Sequence, residues 1–78
     1  MVFMRKQAYR NTPNKFSNED CRSFLDVLSQ SDKVIPTEWE MQFIMEREGQ
    51  TEFDKKEKNI INRMIECYEH RMEQWRVA

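Results

Sequence analysis

Few side chains in this sequence are spaced for chemistry. Cys67 and His70 stand three apart, on one face of a helix, and Cys21 supplies a second thiol. A structural zinc needs four good ligands; these are three, and the usual paired-ligand spacings do not occur. We therefore expect no metal and no cofactor. With a single histidine and a single glycine, no phosphate-cradling loop and no nucleophile motif, there is no set from which to assemble acid, base and nucleophile. Catalysis is not expected, and so small a chain has little room for a closed pocket. Two charged groupings are left. Glu38, Glu40, Glu46, Glu48 and Glu52 form an acidic series, suited to steering toward a basic surface. Lys55, Lys56, Lys58, Asn59, Asn62 and Arg63 follow it, with lysines suited to phosphate and Asn and Arg to base edges.

These groupings belong to a segmented charge pattern. The 78 residues carry a net charge of −1. Residues 1–15 hold Arg5, Lys6, Arg10 and Lys15 and no acid, giving +4. Residues 16–54 carry −7 and residues 55–78 carry +2. A basic arm and an acidic middle can meet different partners, or each other. The arm alone would give salt-sensitive nucleic-acid binding without base specificity.

Composition sets the elements that must carry these charges. Charged residues make up 35% and apolar residues 38%, so the core is thin and the chain suits helices with charged outer faces. One glycine and two prolines argue against the many tight turns of a sandwich or barrel. Two cysteines do not make a disulfide scaffold. The first residues lack the apolar core of a signal peptide, and no run approaches membrane-spanning length. A cytoplasmic location is the expectation.

The chain divides into an irregular basic arm, residues 1–15, and a helical domain, residues 16–78. Pro13, Asn11 and Asn14 break any helix in the arm. Phe16–Gln30 reads as the first helix, with Ser17 as N-cap, Asp20 at N3 and a Phe16–Cys21 staple. Cys21, Phe24, Leu25 and Leu28 give it one apolar stripe. Ser29–Pro36 is a loop whose Val34 and Ile35 are expected to fold back on the core. Thr37-Glu38-Trp39-Glu40 is a capping box opening a helix over 38–48, with Gly49 as its left-handed cap. Trp39 and Phe43 line its expected inner face.

Asp54 and Glu57 form a second capping box. Beyond it Ile60, Ile61, Met64, Ile65, Tyr68, Met72 and Trp75 recur at three- and four-residue steps. That spacing predicts a third helix of about twenty residues, some 30 Å long. Such a helix outruns its partners. Two readings of its end stand: Met72 and Trp75 project as an anchor for a partner or a second copy, or Trp75 folds back on Val2 or Phe3. The fold class expected is all-α, a small three-helix domain with a long C-terminal helix.

The segment Thr37–Tyr68 also resembles a pattern in short phage proteins. There a Ser/Thr-x-Trp-Glu-x-x-Phe helix precedes a Thr/Ser-x-Lys-Gln-x-x-x-Ile-x-x-Ile helix. Trp39-Glu40, Phe43, Lys56, Ile60, Ile61 and Ile65 carry the likeness over about thirty-two positions. Asp54 stands where Ser or Thr is usual, and Glu57 where Gln is usual. The resemblance implies a phage or mobile-element origin, where such small proteins often modify or block larger machinery. It carries over no site residue.

The expected function is that of a non-catalytic interaction protein. Its acidic helical face would dock on a basic surface of a larger host or phage protein, such as a nuclease, a defence complex or a replication protein, and modulate or inhibit it. The alternative is a nucleic-acid-binding accessory protein. It would use the basic arm (Arg5, Lys6, Arg10) and the start of the third helix (Lys55, Lys56, Lys58, Arg63) in a helix-turn-helix-like pair.

Overall fold

The computed structural model describes residues 16–77. The expectations for the N-terminal arm, including Arg5, Lys6, Arg10 and the docking of Trp75 on Val2 or Phe3, fall outside them. Three α-helices follow in order: α1 (Asn18–Gln30), α2 (Glu38–Glu46) and α3 (Lys55–Tyr68), the last continued by a 3₁₀ turn, Glu69–Arg71. No strand occurs among the described residues.

Each helix starts where its side chains satisfy the first free amides. Ser17 accepts from the Asp20 amide. Thr37 and Glu40 form a reciprocal capping box on α2, and Asp54 and Glu57 form another on α3. The helix α2 stops at Glu46, two residues short of the end expected from Gly49 as its cap. Residues 47–49 make a turn in which Gly49 takes φ +83, a conformation a side chain would strain.

The helix α1 is central. It packs against both α2 and α3, while no Cα of α2 comes within 8 Å of one in α3. Cys21, Phe24, Leu25 and Leu28 of α1 meet Phe43 and Ile44 of α2 and Ile61, Met64, Ile65 and Tyr68 of α3. Val34 and Phe53 close the core from the two connections. Ile35 does not join them: it is 88% exposed, because the extended strand-like alternation before Pro36 turns consecutive side chains to opposite sides.

The third helix is the longest of the three, as expected, but it ends short of Trp75. After the 3₁₀ turn the chain leaves helical geometry at Met72 and runs back along α1. Trp75 is 4% exposed and meets Phe16 and Phe24 edge-on, at 5.4 and 5.2 Å between ring centres. Ser23 Oγ donates to the Trp75 carbonyl, and the Val77 amide donates to Asp20 at 3.3 Å. Burying so large a ring outweighs the one or two turns of exposed helix that its extension would add. Trp75 is thus core, and Met72 is half-buried beside it; neither projects as an anchor.

Candidate docking surface

A polar clamp fixes the orientation of α2. Arg22 of α1 reaches across and donates to the carbonyls of Arg47 and Gln50 at 2.7 and 2.8 Å. Its other nitrogens hold Asp26 one turn along at 3.1 and 2.8 Å. Carbonyls at a helix end lack intrahelical donors, so a guanidinium with several fixed N–H groups suits the place. Glu57 is the second fastening. While capping α3 it accepts from Arg47 Nε at 2.9 Å and from the Gln50 amide side chain at 3.0 Å. Both ends of the 47–54 connection are thereby tied to their neighbours.

With α2 so placed, its two sides divide sharply. Phe43 and Ile44 face the core, with Glu40 and Met41 half-buried beside them. Glu38, Trp39, Gln42, Met45 and Glu46 face outward. Trp39 is 60% exposed and Met45 64%, which corrects the expectation that Trp39 builds the core. The indole instead stacks on the outer edge of Phe43, with ring centres 5.6 Å apart and planes 18° from parallel. One turn further on, the Arg47 guanidinium lies 3.9 Å from the centre of the same Phe43 ring. Trp39, Phe43 and Arg47 are spaced i, i+4 and i+8, so the rings and the guanidinium form a short ladder along one helix line.

The five predicted acidic residues separate into two roles. Glu40 is structural: it completes the α2 cap at 2.8 Å and accepts the Tyr68 hydroxyl. That bond to a carboxylate, reinforced by burial, pushes the Tyr68 phenol up to about 12. Glu46 is exposed but held by Gln42 at 3.1 Å and by Arg47; the Gln42 bond leads in keeping its carboxyl below the usual range. Among the described residues, Glu38, Glu48 and Glu52 are exposed and their carboxylates have no hydrogen-bond or ion-pair partner. Four carboxylates therefore flank Trp39 and Met45 on α2 and the connection after it.

The basic series is less uniform. Lys55 and Lys56 are exposed at the start of α3, whereas Lys58 is half-buried. Arg63 is exposed on the same helix. Asn62, expected on an exposed front, is 8% exposed, so it cannot read a base edge without moving. Eight residues link α2 to α3, more than the three or four of a helix-turn-helix.

The remaining chemistry is dispersed. Cys21 is in the core, where burial pushes its thiol up, and Cys67 is on the surface. No three His, Cys, Asp or Glu side chains gather as metal ligands among the described residues. A groove of about 410 Å³ beside α1 is lined by Arg22, Asp26, Val27, Thr51 and Val77 among others, but Arg22 and Asp26 are already paired with each other. No described helix is long and apolar enough to cross a membrane.

The acidic series is legible in the sequence, whereas the exposure of Trp39 is not. Spacing alone could not place Trp39, since Phe43 on the same helix line is core. Arg22 left no local signal at all, because its acceptors lie 25 and 28 residues away. The chain matches no known family model, no characterised protein sequence and no solved structure.

Proposed function

We propose that this protein is a small, non-catalytic interaction protein of phage type. It docks on a larger host or phage protein through the outer face of α2 and modulates or inhibits it. The target bears a basic surface of the kind that binds nucleic acid, as in nucleases, defence complexes and replication proteins. The observation that carries this reading is the exposed Trp39, held on a clamped helix among Glu38, Glu46, Glu48 and Glu52. Carboxylates steer the encounter with a cationic cleft. A large exposed indole supplies the kind of anchor that dominates binding once water is expelled. The mechanism is occlusion: a rigid acidic face covers the surface where a nucleic acid would lie. The resemblance of Thr37–Tyr68 to phage proteins supports the origin, and a host cytoplasm is the matching location.

Affinity capture followed by mass spectrometry tests this reading, comparing the wild-type chain with a Glu38→Lys, Glu46→Lys, Glu48→Lys variant. Glu40 is left intact because it caps α2. The expected result is a basic protein retained by the wild type and lost from the folded variant. Equal recovery by both removes the acidic face from the account.

Direct nucleic-acid binding is the second reading, favoured by the exposure of Lys55 and Lys56 at the start of α3. A gel shift at two salt concentrations, repeated with Lys55→Ala and Lys56→Ala, separates the two. Salt-sensitive binding lost in the variants favours this alternative.

A further inference from the structure

The ladder on α2 has one unfilled end. The Phe43 ring is met by Arg47, the residue that ends the helix, and by Trp39, a turn earlier. Trp39 uses one ring face against Phe43 and turns the rest of a 60% exposed indole outward. The position a turn before it is Ile35, outside the helix and 88% exposed. No side chain of the described residues other than Phe43 stacks on the indole of Trp39.

We infer that the outward face of Trp39 receives an arginine side chain from the basic partner, as the next rung of the Trp39–Phe43–Arg47 ladder. The inference rests on reading α2 as the docking face and names the group that face takes. Three features select arginine. An indole is the strongest aromatic acceptor for a cation. A guanidinium is planar, stacks flat and sheds water more readily than an ammonium. Arg47 already adopts that arrangement on Phe43. Glu38, exposed on the preceding residue, supplies a carboxylate for the N–H groups that stacking leaves free. Ile35, a turn before Trp39, offers apolar surface to the arginine stem. The occupant is thus an arginine-bearing basic segment, and lysine is the poorer fit.

The test follows the two indole N–H resonances of the full chain by NMR while octa-arginine is added, with octa-lysine in parallel. The resonance lost in Trp39→Phe identifies Trp39. Expected are a saturating shift of the Trp39 signal, a still Trp75 signal, and tighter binding of octa-arginine than of octa-lysine. Trp39→Leu should weaken octa-arginine about 2- to 5-fold, the range for a cation on an exposed ring. Glu38→Lys with Glu46→Lys should weaken it more. Binding that these charge reversals abolish while the Trp39 signal stays still overturns the arginine rung and leaves the acidic docking face standing. No binding of either peptide overturns both. A Trp39 signal that shifts with protein concentration alone assigns the face to a second copy and overturns the rung as well.

Discussion

The two tryptophans of this chain occupy opposite kinds of place. Trp75 lies in a non-helical tail, yet it is 4% exposed and wedged edge-on between Phe16 and Phe24. Trp39 lies in a capped helix, yet it is 60% exposed and stacked on the rim of the core. The tail region is held by ring burial, by the Ser23 and Asp20 bonds to its backbone and by Arg76 reaching Glu69 at 3.5 Å. The outer face of α2 is held from behind, by Arg22 and Glu57, and presents its own side chains to solvent. One region completes the fold and the other is left over after the fold is complete. In a chain with so thin a core, a large ring kept outside is the better indicator of a binding surface.

Truncating the two rings should separate these roles. Trp75→Ala is expected to cost about 3–5 kcal/mol, the range for emptying a buried aromatic site, as a lower denaturation midpoint. Trp39→Ala should cost only about 0.5–1.5 kcal/mol, the range for a lost ring pair. Comparable losses for the two would erase the distinction. Next in size is the clamp behind α2. Arg22→Ala leaves the Arg47 and Gln50 carbonyls without their donor and should cost about 2 kcal/mol. If urea denaturation finds Arg22→Ala as stable as wild type, α2 is held by packing alone.

A smaller effect is expected at Tyr68, which ties α3 to the cap of α2. Its phenol is raised from 10.0 to about 12 by the bond to Glu40, so the folded state favours the protonated form. The stability this contributes is complete below pH 10 and is lost as pH climbs from 10 to 12. Tyr68→Phe should lower stability at neutral pH by about 1 kcal/mol and flatten that alkaline decline. An unchanged decline would place its origin elsewhere.

Local signals explain what could be read before the structure was known. Ser17, Thr37 and Asp54 cap the three helices as their sequence contexts predict, because a cap is decided within four residues. The all-α class and the apolar stripe of α1 follow from spacing in the same way. The end of α3 was not legible. No glycine or proline follows Tyr68, so nothing local stops the helix. The stop comes from Trp75 finding Phe16 and Phe24, some fifty residues earlier in the chain. Within the acidic series, Glu40 looked like its neighbours, and only the tertiary approach of Tyr68 shows it committed to the fold. Trp39 was misplaced for a related reason. Periodicity gives the direction of a side chain around its own helix, whereas burial depends on which neighbour arrives, and α1 covers Phe43 and Ile44 but stops short of Trp39.

Trp39 is presented to solvent on α2 while Trp75 is sealed in the core. A soluble paramagnetic relaxation agent, read at the two indole N–H resonances of the full chain, tests it most directly. Strong broadening of the Trp39 resonance and little change in that of Trp75 are expected. A protected Trp39 together with a broadened Trp75 would contradict it.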